Sequence, residues 1–209
     1  MSIIDQIKSI DRLPLVALKG RVVLPGASVP LFIGRERSVA SIQHALKNNK
    51  LALCVAQRDE KTDQPQIAEL YEYATVVQIV NSAALPDDSI RILALGVAIV
   101  KLSELTEEDQ VQWGKFDQTW PIEDVKEGEE LDEELAKLLV QLKKRSSRFF
   151  KLNRKATQSK SSLDRLKPLQ LCFRVLAHLG LKTDEIQEVL GESDLNHFVL
   201  KVLAILEGA

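Results

Sequence analysis

Near residue 120 the hydrophobic grammar of this chain changes. Before it, apolar residues come in short runs such as LPLVAL, VPLFI and LALCVA, bounded by proline, glycine and charge. Such runs read as β-strands. From Glu129 onward Leu131, Leu135, Leu138, Leu139, Leu142 and Phe149 or Phe150 recur at helical spacing, which makes one apolar stripe. The acidic stretch WPIEDVKEGEE, residues 120–130, separates the two patterns. The expected architecture is therefore α+β: a β-rich unit over residues 1–120, then a helical unit over 121–209.

Within the first unit, YATVVQIV and SIRILALGVAIVKL flank NSAALPDDS, whose Pro86, Asp87 and Asp88 supply turn chemistry. The pair reads as a hairpin. Gly96 interrupts the second of these strands and predicts a bulge or bend. VQWGKFDQTW, residues 111–120, supplies one further strand. One helix interrupts the series, with Val39, Ile42 and Leu46 on one face of Ser38–Lys47 and Asn48 and Asn49 closing it. RDEKTDQPQ, residues 58–66, reads as a solvated loop.

The second unit reads as four helices. Acidic residues crowd the start of the first and Lys143, Lys144, Arg145, Arg148 and Lys151 its end, which suits the helix dipole. ATQSKSS, residues 156–162, reads as a linker. Pro168 fits a first turn and Gly180 a left-handed cap. Thr183 and Ser193 are the expected caps of the last two helices. No internal repeat is evident.

Signals for chemistry are sparse. The net charge of −2 favours neither nucleic acid nor a membrane surface. The N-terminus does not read as a signal peptide, and no apolar run is long enough to cross a bilayer. Cys54 and Cys172 sit singly in apolar surroundings and read as buried reduced thiols, the usage of a cytoplasmic compartment. There is no P-loop, no nucleophile elbow and no S-x-x-K pair. His44, His178 and His197 are isolated, and two unpaired cysteines do not make a zinc site. KKRSSRFFKLNRK, residues 143–155, interleaves cations with phenylalanines in the manner of a single-strand binder. Its dipole-compatible charge order fits a solvated helix end better. No catalytic residue, metal or cofactor is expected within the chain, nor nucleic acid as a partner.

In LFIGRERSV, residues 31–39, an apolar run meets Gly34, which lets the backbone turn. Arg35, Glu36 and Arg37 then open the helix. Glu36 suits the positive end of the helix dipole; the two arginines oppose it. Strand alternation sends Phe32 to the opposite face from Leu31 and Ile33.

Read in order, these stretches resemble the start of the Lon family of ATP-dependent proteases. The resemblance runs through the Leu-Pro-Leu strand, VVLPG, the Pro30–Ser38 motif, Ala56-Gln57, Thr62 to Pro65, ATVVQIV and the turn at Leu85 to Asp87. The final LNHFVLKVLAIL segment extends it to about residues 12–207. Leu18-Lys19-Gly20 stands where the family usually has an Arg-Asp pair, and Leu95 where it has an acidic residue before the glycine.

The resemblance implies a β-barrel-like PUA-type subdomain with one helix, then a helical subdomain. It implies a region that engages unfolded or damaged protein and helps organise a hexamer. The ATPase and Ser-Lys peptidase parts, with their ATP and magnesium, would lie beyond it, so the chain reads as a fragment of the protease. A stand-alone peptide or small-molecule binder and a purely structural module, assembling through the helix over residues 193–207, remain open. Unfolded chains are recognised by exposed apolar side chains and unpaired backbone. The candidate contact surface is Phe32, Arg35, Glu36, Arg37, Leu24 and Pro25, with Val29 and Leu31 as further apolar positions. Replacing Arg35 and Arg37 by alanine is expected to leave the melting temperature nearly unchanged and to weaken binding.

Overall fold

A computed structural model describes residues 3–117, 124–125, 130–152 and 163–208. The chain divides into two compact units, Met1–Trp120 and Pro121–Ala209.

Among its described residues the first unit holds six strands: β1 (Arg12–Lys19), β2 (Ser28–Ile33), β3 (Leu51–Gln57), β4 (Leu70–Ala84), β5 (Ile90–Glu108) and β6 (Val111–Asp117). The sheet runs β2-β5-β4-β3-β1-β6, and β6 pairs again with β5. Pairing therefore closes a ring of β5, β4, β3, β1 and β6, with β2 attached outside it on β5. The expected barrel-like architecture holds. All pairs are antiparallel except β1–β3, which is parallel.

Two α-helices accompany the strands among the described residues, α1 (Ile3–Lys8) and α2 (Glu36–Lys47), with a single 3-10 turn at Ile67–Glu69. Only α2 has a sequence signature strong enough to expect; α1 is a short turn whose Ile7 joins the core. β1 and β3 are buried on both faces. Val16, Leu18, Ala52 and Cys54 share one apolar cluster with Ile42 and Ala45 of α2. Leu13, Leu15, Leu51 and Leu53 share another with Phe116. Burial on both sides is why these strands read as unbroken apolar runs. It also pushes the Cys54 thiol up to about 12, and burial within the second unit separately raises that of Cys172, so both remain neutral thiols at physiological pH.

β5 is longer than the apolar pattern suggests. Its first part pairs with β2 and β4, and its second, SELTEE, pairs with β6. The β5–β6 turn uses left-handed Asp109 (φ 50) and Gln110 (φ 68) without glycine, so it carries no usual hairpin signal. The register slips beside Gly96, between Val76 and Val77 on the partner strand, which accounts for the expected bend. A Cβ on Gly96 would lie 2.2 Å from the Leu24 carbonyl oxygen. The 23–27 segment crosses β5 there, held by Gly96 N–H donating to Ala27 O (3.0 Å) and Gly26 N–H to Gly96 O (2.9 Å).

The second unit holds α3 (Glu133–Leu152), α4 (Pro168–Leu176), α5 (Thr183–Leu190) and α6 (Leu195–Gly208). Residues 153–162, including the expected linker and the end of the basic segment, fall outside the described part. Several sequence expectations shift by a few residues. α3 starts at Glu133 because Asp132 accepts from Leu135 N–H at 2.7 Å, which leaves Leu131 outside the stripe and exposed. Thr183 is the first residue of α5 rather than its cap: Lys182 holds the cap position and Glu185 accepts its N–H. Asp194, not Ser193, caps α6, accepting from His197 N–H at 2.9 Å. A carboxylate at these ends also meets the helix dipole, which a hydroxyl does not. Pro168 opens α4, and Gly180 is left-handed (φ 67) as expected. The apolar stripe of α6 — Phe198, Val199, Val202, Leu203 and Leu206 — is buried within its own unit, where α6 packs on α3, α4 and α5.

Because the clash at Gly96 is with main chain, it cannot be relieved by a rotamer change. Gly96→Ala is expected to lower the unfolding free energy by about 2 kcal/mol or more. Gly208→Ala, with open space around its Cβ, should change it little. Urea midpoints of the two variants compare them directly.

Candidate functional site

The charged triplet opens α2, and its members have three different fates. Glu36 is exposed in the first turn. Arg37 reaches across to Glu107 of β5 at 2.9 Å. Arg35 turns inward. Its guanidinium donates to the Gln57 side-chain oxygen (3.1 Å), to the Asp63 carbonyl (3.1 Å) and to the Ala17 carbonyl. Gln57, only 2% exposed, completes the knot by donating to the carbonyls of Asp59 (2.6 Å) and Thr62 (2.8 Å).

One arginine therefore joins the start of α2, β1, the end of β3 and the 58–66 loop. Burial lowers the Arg35 pKa, with Asp63 pulling the other way, yet a guanidinium remains charged at any ordinary pH. Its planar fork suits several fixed acceptors at once. The 58–66 loop is accordingly anchored rather than freely solvated: Gln57 grips its carbonyls, and Pro65 is buried.

Two clefts flank Arg35. The first, of about 440 Å³, lies between residues 16–19 of β1 and 30–33 of β2, with Arg21, Arg35 and Asp63 at its rim. Buried Val16, Leu18, Leu31 and Ile33 line its floor. The second, of about 430 Å³, is polar and runs past Glu36, Arg37, Gln64 and Gln112. Lys19 and Asp63 pair across the first rim at 3.0 Å, and the Lys19 ammonium holds the Asp63 carboxyl below the usual range.

The predicted contact residues separate on this frame. Phe32 is 71% exposed while its neighbours Leu31 and Ile33 are buried, so strand alternation places all three as read. Leu24 is 3% exposed and cannot form part of an open patch; its carbonyl packs over Gly96 instead. Pro25 and Val29 are half-buried, Val29 against the cluster under α2. Gly34 is not left-handed, and a Cβ there would meet only Ser89 Cβ at an ordinary 3.8 Å. Nothing local in the sequence marks Lys19, Arg21 or Asp63 as neighbours of Phe32, because the cleft brings β1 and β2 together without pairing them.

The remaining candidates have structural partners. His44 lies edge-on to Trp113 at 4.9 Å. His178 Nδ1 lies 2.8 Å from the Arg174 carbonyl, with its ring edge-on to Phe150. His197 lies near the carboxylates of Glu192 and Asp194. Phe150 is fully buried, so it is not available to stack on a base, and Arg145 pairs with Glu207 at 2.8 Å. Among the described residues no cluster of three or more His, Cys, Asp or Glu could hold a metal ion. Among them, too, no helix is long and apolar enough to cross a membrane.

The knot corrects one sequence expectation. Removing Arg35 leaves the buried Gln57 oxygen without its donor, so Arg35→Ala is expected to cost about 1–3 kcal/mol. Arg37→Ala breaks only a partly exposed ion pair and should cost less than about 1 kcal/mol. Measured unfolding free energies separate the two, and faster proteolysis within residues 58–66 should accompany Arg35→Ala alone.

Comparison with known proteins adds the family. The Lon protease of Escherichia coli strain K12 is 29% identical over 200 residues, covering 93% of this chain and 24% of that protein. That of Vibrio parahaemolyticus is 31% identical over 184 residues, covering 85% of this chain and 22% of that protein. The chain thus spans about a quarter of the length of these relatives. The fold matches the N-terminal domain of a Mycobacterium avium complex Lon protease, with a TM-score of 0.71, 16% identity and coverage of 94% of this chain and 98% of that one. A Lon N-terminal domain protein from Xanthomonas campestris matches with a TM-score of 0.62, 17% identity and coverage of 93% and 98%. The model of the ATP-dependent protease La (LON) substrate-binding domain matches residues 12–208, and the chain belongs to that family.

Proposed function

We propose that this chain is the substrate-recognition region of a Lon-type ATP-dependent serine protease, and that it captures unfolded segments of misfolded, damaged or short-lived proteins. One observation carries the reading: a phenylalanine that is 71% exposed, on a strand beside an apolar-floored cleft. A lone exposed ring is ordinary on a protein surface, but this one adjoins the apolar lining of the cleft, and contiguous apolar surface marks an interaction site. A folded protein hides side chains able to pair with it; an unfolded one does not.

On this reading the chain contributes binding and no catalytic group. Hydrolysis, with its ATP and magnesium, belongs to other parts of a full-length cytoplasmic protease. Single contacts of this kind are weak, and copies assembled in a hexamer would add them through effective concentration. The apolar stripe of α6 supports recognition over assembly as the role of this region. That stripe is spent inside its own unit, leaving Leu200 as the large apolar residue of α6 exposed to solvent.

Reduced casein provides an unfolded probe. Phe32→Ser should weaken its binding about tenfold, as loss of a central aromatic contact does. The same change should alter the unfolding free energy by no more than about 1 kcal/mol, because the ring is exposed on an edge strand. Unchanged affinity in a folded variant would remove Phe32 from the contact surface.

A further inference from the structure

β2 hydrogen-bonds to β5 alone among the described strands, so its other edge is open. The polarity of that edge can be read from fixed points. Gly96 of β5 exchanges main-chain hydrogen bonds with Gly26 and Ala27 on the β2 side. In an antiparallel ladder alternate residues face the same neighbour. Ala94, Ile92 and Ile90 therefore also face β2, where their partners are Val29, Leu31 and Ile33. The main-chain groups of Ser28, Pro30 and Phe32 are left on the free edge. An independent contact agrees: Arg21 donates to the Pro30 carbonyl at 3.4 Å from that side.

This free edge borders the cleft of about 440 Å³ whose opposite wall is β1. β6 covers β1 only over Arg12–Pro14, so among the described strands residues 15–19 have a second unpaired edge. There the Ala17 carbonyl is already taken by Arg35. On β2 Arg21 takes only the Pro30 carbonyl, and Phe32 keeps both its N–H and its carbonyl on the open edge, which directs a guest strand there. Three cations, Lys19, Arg21 and Arg35, line the cleft against one carboxylate, Asp63.

We infer that one extended polypeptide segment adds to the free edge of β2, pairing its backbone at Phe32, with apolar side chains over the cleft floor and an acidic residue at the cationic rim. This deepens the proposed role in substrate capture and rests on it. The edge also limits what it can hold. Pro30 has no N–H and its carbonyl already accepts from Arg21, so a guest pairs fully at Phe32 and only weakly at Pro30. Such an edge holds a short segment briefly and resists the continuous pairing that leads to aggregation.

The test uses the whole chain and a fluorescein-labelled decapeptide with a valine- and leucine-rich centre and two glutamates at each end. Two further versions carry N-methyl groups on alternate central residues, one in each parity. Strand addition predicts that one parity loses about tenfold or more in affinity and the other little, since only alternate amides face β2. It also predicts slowed hydrogen exchange at the Phe32 amide in the complex. A version ended by lysines should bind about tenfold more weakly at low salt and recover relative to the parent as salt rises.

Equal binding of both N-methylated forms would overturn strand addition, while a Phe32→Ser effect on casein would leave the capture role standing. Equal binding of the lysine-ended form would overturn the acidic preference. Binding of reduced casein without binding of the decapeptide would overturn the inference alone. Absence of both would overturn the capture reading as well.

Discussion

The ring of strands depends on a missing Cβ. β5 serves β2 and β4 along its first part and β6 along its second, and only that succession closes the sheet on itself. Between the two parts the chain around Leu24 passes directly over the β5 backbone, close enough that any side chain at Gly96 would overlap main-chain atoms. The crossing is fastened on both sides, by the Gly96 hydrogen bonds and by the buried Thr75 hydroxyl donating to the Val23 carbonyl. A bulge beside the glycine turns the strand toward β6, as bulges do in closed sheets. Leu24, plausible in isolation as an exposed contact, is consumed by this crossing.

Closure in turn decides where the sheet stays open. β2 lies outside the ring, and among the described strands it is bound on one side only, by β5. Its free edge then faces the uncovered part of β1 across a cleft. Arg35 stands at the end of that cleft and does two things at once. It satisfies acceptors on β1, β3 and the following loop, and it leaves positive charge at the rim. Its opposition to the local helix dipole, unfavourable by a few tenths of a kcal/mol to ~1 kcal/mol, is offset by these charge-assisted hydrogen bonds.

Much of the architecture was legible in the chain. The shift from short apolar runs to helical periodicity marked two units, and alternation along VPLFI put Phe32 outside and Leu31 and Ile33 inside. The ordered motifs between residues 12 and 207 pointed to the Lon family. Other features left little trace. The second part of β5 is polar because it is solvated, so it lacked the hydrophobic signature of a strand. The β5–β6 turn adopts left-handed geometry at Asp109 and Gln110 without the glycine that would have announced it. The anchored loop 58–66 looked solvated because what holds it is its own carbonyls, which are the same in every residue.

Sequence alone determined the kinds and order of most elements and, along VPLFI, which side chains face the core, because periodicity is local and each residue reports its own preference for burial. Tertiary structure decided which strands pair, where the ring closes, which edge remains free and that Arg35 turns inward while Glu36 stays in solvent. Those outcomes rest on main-chain hydrogen bonds and close approaches between residues far apart in the chain. Backbone donors and acceptors are chemically alike along the whole chain, so no single stretch encodes its partner.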